Sequence, residues 1–131
     1  MKPDQLIGMG YRLGAVPIKH GKGDCFSVAA TVVRYFGFDA PKPSRNWYRR
    51  IRRGDYSVFR EELQRWGQIT DLPRLGTVAL CEADVGYGLA VYYSEGWLSY
   101  RGSEVVWSPI DVLLGGECYF PRKPNSVMRL V

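Results

Sequence analysis

The chain has 131 residues, 46% hydrophobic and 24% charged, which suits one packed domain and excludes both a second core and a mainly disordered state. The longest apolar runs, such as Val28 to Val33, fall far short of the roughly 20 residues a membrane-spanning helix needs. The net charge of +5 is unevenly placed: residues 1–60 hold twelve basic and four acidic side chains and residues 61–131 six and nine, so the molecule is expected to be electrically two-sided.

In chain order, Met1-Lys2-Pro3-Asp4-Gln5 has no apolar segment behind it, so no secretory signal is expected. The first strong element is a helix over 25–36. Asp24 is its N-cap, Ala29, Val32, Val33 and Phe36 share one face, and Gly37 is the left-handed stop. Pro41 and Pro43 break the chain, and Ser44 caps a second helix over 45–53 that ends at Gly54. A third runs over 55–66, with Phe59, Leu63 and Trp66 as its stripe and Gly67 as its stop. After Pro73 the period shortens. Residues 77–81, 89–93, 96–100 and 104–107 read as antiparallel strands, with tight turns at Ser94-Glu95-Gly96 and Arg101-Gly102-Ser103. One or two helical turns over 108–114, a last strand over 118–120 and an extended tail after Pro121 complete an α+β domain spanning residues 1–131, with helices against one small antiparallel sheet.

The three cysteines, Cys25, Cys81 and Cys118, form no C-x-x-C pair, and the single histidine is His20, so neither a disulfide framework nor a metal site is expected, and no cofactor. Free thiols suit a reducing compartment. Cys25 follows an N-capping Asp at a helix start, where unpaired backbone N–H groups and the helix dipole favour a thiolate. It is the candidate nucleophile, provided that a base from a neighbouring strand can reach it.

Three blocks in order carry a resemblance. Leu6 to Gly14 followed by Asp24-Cys25, then Arg74 to Leu80, then Gly88 to Gly96, resemble the signature segments of the NlpC-type papain-like cysteine peptidases over roughly residues 6–120. The resemblance implies a papain-like fold with Cys25 at the catalytic cysteine. The departures bear on activity. Gly88, after Tyr87, stands where the family has its histidine, 63 residues beyond the cysteine; Ser99 or Tyr100 falls at the third polar position; Phe26 replaces a small polar residue and Thr77 the strand Asp. A thiol without a base has little thiolate at neutral pH and no acid for a leaving amine. His20, five residues before Cys25 in a glycine-rich loop, is the other candidate for that role; its bland alternative is an exposed loop histidine. Tyr87 as an acid is weighed against simple packing. Cys81 and Cys118 read as small apolar strand residues, and Trp97, Tyr100 and Trp107 mostly as core.

The remaining feature is a basic helix. Arg45, Arg49, Arg50, Arg52 and Arg53 surround Trp47 and Tyr48, a mixture that anchors protein interfaces and also binds phosphates and stacks on bases. Its bland alternative is a solvated face. Three functions follow. The first is a catalytically degenerate building block, resembling the small NlpC-like proteins of phage tail tips and adaptors, made in a host cytoplasm and carried in the virion, with other virion proteins or its own copies as partners. The second is an active cysteine hydrolase of cell-wall peptides or assembly precursors using Cys25. The third is a nucleic-acid-binding module using the arginines. The first is the leading expectation.

Overall fold

The computed structural model describes residues 1–40, 45–82, 87–109 and 117–121. The breaker prolines Pro41 and Pro43, the Ser44 cap, Ile110 to Leu114 of the expected late helix, the tail after Pro121 and the Tyr87 side chain lie outside this set.

Gly10–Tyr11 (β1) and Lys22–Gly23 (β2) pair in parallel, with a one-turn helix α1 (Pro17–His20) between them, preceded by a 3₁₀ turn at Pro3–Leu6. None of these is visible as a periodicity, because segments of two to four residues cannot display one. The two strands join the main sheet through β1, where Gly10 lies opposite Glu104 from much later in the chain.

The principal helix, α2, spans Cys25–Tyr35. The Asp24 carboxylate accepts from the Ser27 N–H at 2.9 Å while the Ser27 hydroxyl oxygen accepts from the Asp24 N–H at 2.9 Å, a reciprocal cap that satisfies two otherwise unpaired donors. Next come α3 (Arg45–Arg52) and α4 (Ser57–Trp66), and Gly37 and Gly54 take the left-handed conformation expected of them. Gly67 does not. It is extended and begins β3 (Gly67–Ile69), and its lack of a side chain serves a close approach: a Cβ there would strike the Phe120 carbonyl of the neighbouring strand.

The remaining strands are β4 (Val78–Glu82), β5 (Tyr87–Tyr93), β6 (Gly96–Arg101), β7 (Glu104–Pro109) and β8 (Glu117–Pro121). Ser108 and Pro109 therefore belong to a strand and not to the late helix, since Gly96 and Trp97 pair with them. The eight described strands form one sheet in the order β2-β1-β7-β6-β5-β4-β8-β3, antiparallel except at β1 and β2. The sheet is thus larger than a simple meander, drawing strands from before and between the helices.

Alternation divides the sheet into two faces. Val78, Leu80, Leu89, Val91, Leu98, Val105 and Tyr119 meet Phe26, Val32, Val33, Val58, Leu63 and Trp66 of the helices in the main core. Burying each such side chain contributes roughly 1.5–3 kcal/mol. The opposite face is built from small residues, Ala79, Cys81, Ala90 and Cys118, around Trp97 and Tyr92. Of the hairpin aromatics, Trp97 is buried, Tyr100 is half-buried and Trp107 stays 40% exposed, its indole donating to the Tyr93 carbonyl at 2.8 Å. Among the described residues no helix is long and apolar enough to cross a membrane.

Candidate functional site

Asp24 and Cys25 sit where α2 begins, over the strands β5 and β6. Asp24 is only 1% exposed, and its second carboxylate oxygen accepts from the Gly14 N–H at 2.8 Å. The Tyr48 hydroxyl also interacts with this carboxylate. Burial, and then the Asp24 charge, push the Tyr48 phenol above its ordinary range. On the strand side, the Tyr100 hydroxyl donates to the Gly10 carbonyl at 3.0 Å, and its ring meets Tyr11 edge-on with centroids 5.3 Å apart. Burial and Asp24 push Tyr100 up to about 12. Alternation along β6 places Tyr100 on the helix-side face with Leu98, and Ser99 on the other.

Cys25 is partly buried, and its thiol is pushed well above the ordinary thiol range. Burial is the largest cause and the Asp24 carboxylate the second; the Leu89 N–H pulls the other way, Cys81 adds a further upward push, and the N–H of Cys25 itself pulls down. The sequence expectation ran in the opposite direction, because a helix start favours a thiolate. Desolvation and an adjacent buried carboxylate outweigh the helix terminus here. The strand expected to bring a base to the sulfur does run beside it, since the Leu89 N–H faces the thiol, but Gly88 has no side chain to offer. Gly88 pairs with Cys81, whose thiol donates to its carbonyl at 3.5 Å.

His20 is exposed at the end of α1, and its Nδ1 accepts from the Val16 N–H at 2.9 Å. That nitrogen closes its own turn and is not among the influences on Cys25 named above. Among the described residues, no group of three or more His, Cys, Asp or Glu could hold a metal ion.

The arginine helix divides by direction. Trp47 is 3% exposed, packed on Phe26 and Phe59, with its indole N–H donating to the Val58 carbonyl at 3.4 Å. This burial removes Trp47 from the binding face expected of it: the ring fills the core below. Arg50 is also turned to internal use. It reaches Asp55 at 2.8 Å, Glu61 at 2.6 Å and the Ser57 hydroxyl at 3.1 Å, clasping α3 to α4. Arg53 is exposed beside the C-terminal stop. Arg45, Arg49 and Arg52 are exposed and line a shallow depression with Leu13, Gly14 and Tyr48.

Tyr48 therefore touches both parts: its ring borders the basic depression and its hydroxyl interacts with the carboxylate beside Cys25. Sequence reasoning named neither Leu13 nor Gly14 as part of a site, nor the ring of Tyr11, Tyr48 and Tyr100 about Asp24. The i, i+4, i+7 spacing of Arg45, Arg49 and Arg52 was the available signal for which arginines share a side. No protein-family model matches the chain, and no curated protein matches it.

Proposed function

We propose that the protein is a structural or assembly component of a phage-tail type virion, built on an NlpC-like domain whose catalytic centre is degenerate. The observation that carries this reading is the state of Cys25: a partly buried thiol whose pKa is raised by burial and by Asp24, beside a strand that presents glycine where a base is required. A nucleophile needs the opposite environment, electropositive and accessible. The papain-like part of the reading is supported by a cysteine-led helix packed on an antiparallel sheet and by the approach of Gly88-Leu89 to the sulfur; the virion context rests on the resemblance alone. Contacts are made by the exposed arginines of α3, and the tyrosine ring preserves the shape of a site without its chemistry.

The test is the iodoacetamide reaction rate of Cys25 against pH, with Cys81 and Cys118 replaced by Ala. The expected rate rises only above about pH 8.5, the ordinary thiol pKa, or is undetectable in the folded state. A plateau reached by about pH 6 overturns the reading and establishes an activated thiol. In an assembling system, Cys25→Ser leaves particle yield unchanged, while Arg49→Glu with Arg53→Glu lowers it. Loss of particles with Cys25→Ser in a folded protein counts for the hydrolase instead.

A further inference from the structure

The depression beside Tyr48 has a definite charge chemistry. Arg45, Arg49 and Arg52 lie at i, i+4 and i+7 of α3, so their guanidinium groups follow a line of about 10 Å along the helix. The other arginines of the two neighbouring helices are provided for: Arg50 pairs with Asp55 and Glu61, Arg60 with Glu117 at 2.9 Å and Arg65 with Glu62 at 2.8 Å. Among the described residues none of these ion pairs involves Arg45, Arg49 or Arg52, and no carboxylate lines the depression. Asp24, which interacts with Gly14 and Tyr48 of the lining, is buried and occupied by the N–H groups of Gly14 and Ser27 and by Tyr48.

We propose that this depression is the seat of a carboxylate-rich segment of a partner protein, with acidic side chains against Arg45, Arg49 and Arg52 and an apolar one against Leu13 and Tyr48. The proposal rests on the reading of α3 as an interaction face and specifies its partner's chemistry. Guanidinium groups match carboxylates in a paired, directional way. Nucleic acid is the other polyanion to weigh, and the aromatic arrangement disfavours it. Single-strand binding draws on aromatic faces on which bases stack. Here Trp47 is in the core, and Tyr48 is partly buried with its hydroxyl turned to Asp24. What remains exposed is a short line of charge beside an apolar ledge, a shape suited to one turn or two of an acidic segment.

The experiment is fluorescence anisotropy of the full chain with a labelled oligoglutamate peptide at low salt, and with labelled single-stranded DNA of equal charge in parallel. The parent binds the peptide, and Arg49→Glu with Arg52→Glu weakens it by about a hundredfold, while Lys2→Glu and Arg101→Glu, which reverse exposed bases elsewhere, change it by less than about twofold. Arg45→Gln, a milder change at the helix start, weakens binding in the same direction. Unfolding midpoints of all variants establish that each is folded. Absence of peptide binding by the parent overturns the proposal, as does equal weakening by the control reversals. Tighter binding of the DNA than of the peptide, lost with the same arginines, also overturns it, in favour of nucleic acid. The thiol reactivity profile is independent of this surface: an activated Cys25 defeats the building-block reading whatever the peptide does, and a failed peptide experiment leaves that reading intact.

Discussion

The indole N–H of Trp47 donates to the carbonyl of Val58, and this contact joins the arginine-rich helix to the one that follows it at a distance of 3.4 Å. Once Trp47 points inward, the 100° step of the helix sends Arg45, Arg49 and Arg52 outward together. The orientation of the charged face is thereby set by an aromatic side chain that is itself buried in the core.

Replacing that side chain tests the arrangement. Trp47→Ala empties a space between Phe26 and Phe59 and is expected to cost about 3–5 kcal/mol of unfolding free energy, read from urea denaturation. Trp47→Phe, which retains an aromatic body, loses less. A Trp47→Ala variant as stable as the parent would show that α3 is held by its arginines and not by its core residue.

The Asp24 charge can be removed while its cap is kept. Asp24→Asn retains an oxygen for the Ser27 N–H, since Asn caps about as well as Asp. It eliminates the second-largest cause of the raised Cys25 pKa, so alkylation near pH 8 speeds up relative to the parent. Burial, the largest cause, persists, and the thiol remains slower than a free one. An unaltered pH profile would mean that the carboxylate does not act on the sulfur.

Acid acts on the clasp between α3 and α4. Asp55 is held below the usual carboxylate range by hydrogen bonds from Ser57 and Arg50, and Glu61 by the hydrogen bond from Arg50. A carboxyl whose folded pKa is depressed contributes stability that is present above its unfolded value, about 4, and is lost as pH falls through the folded value. Stability should therefore decline below about pH 4, and Arg50→Ala should flatten that decline while changing neutral stability modestly, because both carboxylates are exposed. Thermal melts of the two proteins between neutral and acid pH provide the comparison. Parallel declines would place the acid sensitivity elsewhere.

The legible parts of this molecule are those specified within a few residues. Asp24 with Ser27, the apolar face from Phe26 to Val33, and Gly37 define α2 without help from anything distant. The hairpins from Tyr87 to Pro109 are equally local, with Ser94 and Glu95 both left-handed in the first turn. By contrast, Gly67 is an approach glycine only because Phe120 arrives beside it, and β1 is a strand only because β2 and β7 lie on either side of it. The site divides in the same way. The position of Cys25 at a helix start was plain, but the direction of its pKa shift depends on its burial, and then on the charge of the buried Asp24 beside it, and no spacing reveals that burial. Trp47 among five arginines reads as an exposed anchor until Phe26, Val58 and Phe59 claim it.

The position of β8 imposes an order on synthesis. Ala79 of β4 is flanked by Cys118, and Gln68 of β3 by Phe120, so a strand translated late lies between two that are translated much earlier. On the ribosome, β3 and β4 emerge before the strand that pairs with both, so the ladders they share with it stay open until residues 117–121 follow. Open strand edges recruit other chains. The nascent protein thus passes through an interval in which its described helices have been made and its sheet still lacks the strand that joins β3 to β4, and this interval is when a chaperone would have something to hold.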